Sequence, residues 1–179
     1  MRTLKFVRGR HARDAAGADE PRHTGPDVPG FTPFADAGYL PEAIIAAEDT
    51  AFYEHPGYSM VAIRAALKRM KDEPDSGLRG GSTLTQQLAK NLYLDGSERT
   101  LRRKFEELLY TLELERVLSK RQILQLYINV VEFGPGTWGA SPAAEVMFMK
   151  KPGRLTLKEA AYLASVLPSP VRAWERYYL

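Results

Sequence analysis

Two carboxylates, Glu48 and Asp49, stand side by side after the apolar run Ile44-Ile45-Ala46-Ala47. A carboxylate leaving an apolar surface near the negative end of a helix is suited to take up a proton, the task of a general base or acid. An acidic pair closing an amphipathic helix is more often a solvated feature of the surface. The next residues weigh against that reading: Phe52, His55 and Gly57 complete Glu48-Asp49-x-x-Phe52-x-x-His55-x-Gly57. A ring and an imidazole just past a helix end need a reason to be there.

The run Gly80-Gly81-Ser82-Thr83-Leu84-Thr85-Gln86-Gln87-Leu88-Ala89-Lys90-Asn91 is the most unusual in the chain. Its glycines let backbone approach a ligand, and the start of the following helix is expected to offer unpaired N–H groups to an anion. Ser82, Thr83, Gln86 and Gln87 carry neutral donors and acceptors suited to sugar hydroxyls or phosphate oxygens. A capping serine and a wet helix face explain only some of these residues. Farther on, Arg99, Arg102, Arg103 and Lys104 form a cationic cluster, with Glu107 on the same side at i+4 from Arg103 and i+3 from Lys104. Alone, such a set is an intrahelical salt-bridge face contributing a few tenths of a kcal/mol per pair. Nucleic acid is excluded as a partner: the net charge is only +3 and no nucleic-acid fingerprint accompanies the basic run.

Helices must position these groups. Pro41 opens the first, expected to run to about Tyr53. A basic amphipathic helix is expected over 60–71, where Met60, Ile63, Leu67 and Met70 alternate with Arg64, Lys68, Arg69 and Lys71. Residues 72–81 read as a loop, and Ser82 as the cap of a helix through about Asn91. A further helix from Thr100 has Leu101, Phe105, Leu108 and Leu112 as its expected buried stripe, with Glu107 about 150° away. Capping boxes at Ser119–Gln122 and Thr156–Glu159 start two more. Ser141-Pro142 reads as a cap and first-turn proline after the turn-rich stretch 134–139. No alternating run of useful length predicts a strand, so the expected class is all-α.

Length and composition agree with one domain. The chain has 179 residues, 44% apolar and 26% charged, which is ordinary globular composition. Five prolines and four glycines among residues 15–41 suggest an extension or linker over 1–39, with the compact domain at 40–179. The longest charge-free runs, 133–144 and 160–171, are twelve residues each, below the roughly eighteen that a spanning helix needs. Residues 1–14 are basic without the apolar stretch of a secretory signal. Cysteine is absent, which excludes disulfides, thiolate nucleophiles and Cys-based zinc sites.

Taken together, four stretches resemble the motifs of the family 51 peptidoglycan glycosyltransferases, over about residues 40–172. They are Glu48 to Gly57, Gly80 to Asn91, Arg103-Lys104-Phe105-Glu106-Glu107, and Lys120-Arg121-Gln122-Ile123-Leu124-Gln125-Leu126-Tyr127-Ile128-Asn129. Any one is modest; four in order at sensible spacing are highly specific. Two positions depart from the family's usual pattern. Ser59 stands where it has an acidic residue, and Met147-Phe148-Met149-Lys150 where it has an aromatic-Phe-Gly turn.

The resemblance implies a lysozyme-like helical fold with a larger lobe and a smaller mobile one that faces the membrane, the stretch 60–71 belonging to the latter. It implies a reaction joining two lipid-pyrophosphate-linked disaccharides, with lipid II and the growing lipid-linked glycan strand as substrates. Glu48 is then the general base and Glu107 the second catalytic carboxylate, orienting cations or holding a divalent metal, Mg²⁺ or Mn²⁺. Asp49, Phe52, His55, Ser82, Thr83, Gln86, Gln87, Lys90, Asn91, Arg99, Arg103 and Lys104 would contact substrate, while Lys120, Tyr127 and Asn129 would brace the site. The implied location is the periplasmic face of the bacterial inner membrane, peripheral in this chain, beside other cell-wall synthesis proteins. A lysozyme-like hydrolase and a catalytically inactive binding module of the same fold are the alternatives. The cationic set argues against the first, because hydrolysis needs no clamp for pyrophosphate, and the presence of Glu48, Glu107 and Lys90 argues against the second.

Overall fold

The computed structural model describes residues 30–60, 64, 68, 81–94 and 101–178. Among these it is helical apart from one short hairpin, as an all-α chain should be. The helices are α1 (Leu40–Glu48), α2 (Leu84–Tyr93), α3 (Leu101–Val117), α4 (Lys120–Val130), α5 (Ala140–Phe148), α6 (Leu157–Val166) and α7 (Pro170–Tyr178). Both expected capping boxes form. Ser119 accepts from the Gln122 N–H at the head of α4, and Thr156 from that of Glu159 at the head of α6. A third box, Thr83 with Gln86, starts α2. Each cap contributes about 1 kcal/mol.

The core is assembled where α1 packs on α6 and where α2 packs on α3 and α4. Leu40, Ile44, Phe52, Leu84, Leu88, Ile123, Leu124, Tyr127, Ile128, Phe133 and Leu163 are fully buried. Four expectations need correction. The first helix ends at Glu48, because Asp49 leaves helical geometry (φ −161°, ψ 73°) and the chain turns through Phe52 N–H to Asp49 C=O. The cap of α5 is Gly139 at φ 87°, two residues before Ser141. The stretch 134–139 holds a hairpin, in which β1 (Glu132–Gly134) pairs antiparallel with β2 (Thr137–Trp138). It escapes pattern reading because two- and three-residue strands are too short to alternate.

The fourth correction concerns α3. Two members of its expected stripe lie outside, Phe105 at 60% exposed and Leu112 at 43%, and Leu108 is half-buried, whereas Glu107 is 7% exposed and Thr111 and Leu114 are buried. Periodicity identified an amphipathic helix but not the polar row on its inward side.

Residues 32–37, within the stretch read as an extension, pack on the domain. The Asn129 side chain mimics a strand partner, accepting the Thr32 N–H (2.6 Å) and donating to the Thr32 carbonyl (2.9 Å). Arg121 lies over the Phe34 ring at 4.5 Å, and Ala37 is fully buried. The stretch 60–71 is described only at Met60, Arg64 and Lys68, all helical and exposed. Its remainder lies outside the described residues, as do 1–29, Gly80 and Arg99.

Candidate active site

The site is built where the end of α1, the start of α2 and the inner faces of α3 and α4 meet. Glu48, the last residue of α1, accepts a hydrogen bond on Oε2 from Gln87 Nε2 at 2.8 Å. The other end of that amide, Gln87 Oε1, accepts from the Tyr127 hydroxyl of α4 at 2.9 Å. Burial, and then the negative charge of Glu48, push the Tyr127 hydroxyl far above its ordinary range, so it stays a neutral donor.

Asp49 points away from Glu48's partner and into a different network. Its Oδ2 accepts the Leu84 N–H at 2.9 Å, and both of its oxygens accept from His55 Nε2 at 2.9 and 3.0 Å. His55 Nδ1 accepts the Gly57 N–H at 3.1 Å, which puts the ring proton on Nε2. The start of α2 is therefore already supplied with an anion, and that anion is Asp49. The Gln86 N–H is taken by Thr83 Oγ1, and Thr83 N–H by Gln86 Oε1. The expectation of free N–H groups there for a substrate anion does not hold at Leu84 or Gln86.

Gly57 shows how tightly this loop is set. It sits at φ +86°, and a Cβ there would lie 2.6 Å from Glu115 Cγ and 2.9 Å from Thr111 Cγ2. Its carbonyl accepts from Thr83 Oγ1 at 2.6 Å. Behind it, Glu115 Oε1 collects Thr85 Oγ1 (2.6 Å) and Lys120 Nζ (2.7 Å), and the same ammonium lies 4.8 Å from the Phe52 ring centre. Lys120 thus joins α4 to α3 and caps the buried Phe52 ring.

The cationic side begins at Ser82, whose Oγ accepts from Lys104 Nζ at 3.2 Å. Lys104 Nζ also donates to Glu107 Oε1 in a short ion pair between adjacent turns of α3. That carboxylate, nearly buried and already carrying an ammonium, does not fit a resident divalent ion. Among the described residues no group of three His, Cys, Asp or Glu side chains could hold one.

The residues singled out in the sequence thus fall into distinct places. Glu48 with Gln87, and Ser82 with Lys104 and Glu107, form two polar ends of one segment. Asp49, His55, Thr83 and Gln86 are turned inward to fix that segment, and Phe52 is in the core. Lys90 and Asn91 are exposed on α2, and Arg103 is half-buried on α3. Glu115 was not singled out, although Glu107, Thr111 and Glu115 form a polar i, i+4, i+8 row that marks a working face.

The chain matches the family described as Transglycosylase over residues 35–177. It is 48% identical over 130 residues to a biosynthetic peptidoglycan transglycosylase of Aeromonas hydrophila, covering 73% of this chain and 54% of that one. To the protein of that name from Salmonella typhimurium it is 50% identical over 131 residues, 73% of this chain and 53% of the relative. The counterpart from Bordetella pertussis is 44% identical over 142 residues, 78% and 56% of the two chains. The chain spans about half the length of the curated relatives it matches.

Proposed function

The chain belongs to the transglycosylase family, and on that premise we propose that it polymerises a lipid-linked disaccharide-peptide precursor into glycan strands, with Glu48 as general base. One observation carries the reading. A carboxylate and an ammonium are tied to the same six-residue run, Glu48 through Gln87 at one end and Lys104 through Ser82 at the other. A sugar hydroxyl is a weak nucleophile and needs a base beside it, whereas a pyrophosphate leaving group needs its charge met rather than a proton.

In the proposed step the 4-hydroxyl of the acceptor sugar gives its proton to Glu48 while its oxygen attacks the anomeric carbon of the donor. The new glycosidic bond forms as the bond to the pyrophosphate oxygen breaks. The lipid pyrophosphate leaves with the electron pair, facing Lys104, Lys90 and Arg103. Glu107 holds Lys104 in place for this, and no step is routed through a metal ion.

Substrates whose tails stay in lipid require a membrane surface. Among the described residues no helix is long and apolar enough to cross one. We take the domain to touch that surface through the exposed row Phe105, Leu109 and Leu112 with the basic stretch 60–71, on the periplasmic face of the inner membrane. The growing glycan strand, and other proteins of cell-wall synthesis, are the partners this location would supply.

The test is incubation with lipid-linked precursor in detergent, followed by gel separation of the product. Polymer is expected from the wild-type chain and none from Glu48→Gln. General-base catalysis contributes about 10²–10⁴-fold, so a Glu48→Gln variant above about a tenth of the wild-type rate overturns the assignment.

A further inference from the structure

The hydrogen bonds around Glu48 run in one direction, from Tyr127 through Gln87 to the carboxylate. Gln87 bridges two groups, and its amide can face them in two ways. With Nε2 toward Glu48 it donates to a carboxylate, at 2.8 Å. Turned over, it would set Oε1 against the carboxylate oxygen, two acceptors in contact. The carboxylate, which only accepts, sets that choice, and the group on the far side of the amide anchors it in place. Tyr127 is fully buried, and its hydroxyl reaches Gln87 Oε1 at 2.9 Å. A hydroxyl can donate or accept, but donation here holds the amide oxygen away from Glu48 and leaves Nε2–H for the carboxylate.

We infer that Tyr127 is a positioning residue for the base, acting through Gln87: its hydroxyl fixes the amide so that one oxygen of Glu48 is held and the other is left for the acceptor hydroxyl. This rests on the reading of Glu48 as general base. Glu48 terminates α1, where the chain departs from helical geometry at Asp49, so its hold comes across elements as well as along its own. The tie spans three elements, from α4 through α2 to α1, and joins residues 39 and 40 positions apart. Burial, and then the charge on Glu48, raise the phenol well above its ordinary range, so at neutral pH it stands as a donor. Tyr127 has no exposed surface, so it touches no substrate and acts on rate through its partner.

The expected signature comes from this arrangement. Tyr127→Phe removes the donor with little change in shape. Gln87 is only partly buried, so water can reach the freed amide oxygen and the fold survives the change. The amide then loses its anchor and shifts against Glu48, the carboxylate is held less firmly, and kcat falls about tenfold while KM stays within about twofold. In a Gln87→Ala background the same change does almost nothing, because the connection is already gone.

The experiment measures kcat and KM for polymerisation of lipid-linked precursor by the wild-type chain, Glu48→Gln, Tyr127→Phe, Gln87→Ala and the Tyr127→Phe/Gln87→Ala double variant, with melting curves for each. Support is a kcat-only loss in Tyr127→Phe and a double variant within twofold of Gln87→Ala. Wild-type kcat in Tyr127→Phe, a loss carried by KM, or losses that multiply in the double variant would overturn the inference. Should Tyr127→Phe fail to fold, Gln87→Glu decides: it puts a second carboxylate where the amide N–H was. It must then be slower than Gln87→Ala, and equal or faster turnover overturns the inference. An active Glu48→Gln would instead remove the general-base reading itself, so the two failures are distinguishable.

Discussion

α3 and α4 are neighbours in the chain, separated only by Leu118 and Ser119, and they spend their amphipathic character in opposite ways. α4 buries Ile123, Leu124, Tyr127 and Ile128 and keeps Arg121 and Gln122 on its exposed face. α3 turns Glu107, Thr111 and Glu115 toward the molecule and leaves Phe105, Leu109 and Leu112 outside. The inward polar row of α3 is satisfied throughout. Glu107 meets Lys104, Thr111 Oγ1 donates to the Glu107 carbonyl at 2.7 Å, and Glu115 meets Thr85 and Lys120. Burying polar groups is tolerable only on such terms. One helix is therefore held by apolar burial and the other, besides buried Leu114, by a hydrogen-bonded seam, and that seam backs the site.

The sharpest way to break this contrast is to empty a position on each helix. Leu124→Ala, in a fully buried setting on α4, should cost about 2–5 kcal/mol in a urea titration, the usual range for deleting a buried leucine side chain. A loss below about 1 kcal/mol would mean that α4 is not the apolar anchor described.

On α3 the counterpart is the seam. Glu107→Gln keeps the shape and removes the charge that holds Lys104 beside Ser82. Turnover should fall about tenfold to a hundredfold, the worth of one charge-assisted hydrogen bond. The melting temperature should move far less than for Leu124→Ala. Unchanged turnover with a large drop in melting temperature would make Glu107 a purely structural residue.

The sequence was informative in proportion to how local each determinant is. Caps need only four residues, and both expected boxes formed, although the lone serines missed, Thr83 capping α2 in place of Ser82 and Gly139 capping α5 in place of Ser141; four motifs in order sufficed for the family. Orientation is not local. Nothing in the period of α3 distinguishes a core stripe from a solvent stripe, because the sign depends on what α2 and the loop at Gly57 bring against it. Asp49 is another case: the resemblance implied a substrate contact, and only the fold reveals its bonds to the Leu84 N–H and His55. The bridge from Tyr127 to Glu48 joins residues far apart in the chain and could not be read from spacing.

Met149 is a departure of a different kind, legible as a family mismatch but not in its consequence. It closes α5 at φ +54°, the left-handed region, and is the one non-glycine residue there among the described residues. Its N–H bonds the Glu145 carbonyl and the Lys150 N–H that of Ala144, the closing pattern that glycine usually serves. The side chain is 86% exposed, so it has little packing to lose. Met149→Gly should stabilise the chain by about 1 kcal/mol, since relief of left-handed strain outweighs the added freedom of the unfolded chain. A melting temperature unchanged or lowered would show that the strain is absent.

The smallest effect on stability, and the one that sharpens the contrast most, belongs to the outer face of α3. If the exposed parts of Phe105 and Leu112 face water in the isolated chain, replacing both by Ser removes apolar surface that folding buries only in part. The loss in unfolding free energy should then stay near 0.5 kcal/mol or less, as for ordinary surface substitutions. Vesicle binding should respond much more, because apolar side chains entering the interface contribute in proportion to the area they bury. Co-sedimentation with anionic vesicles, in low and high salt, separates the contributions. Loss of binding at both salt concentrations assigns the apolar row to the lipid, whereas loss at high salt alone assigns it to the basic side chains Arg64 and Lys68. A double variant that melts several degrees lower yet binds vesicles like the wild type would mean that this face packs on protein in solution, and the opposition between α3 and α4 would then be one of partners rather than of polarity.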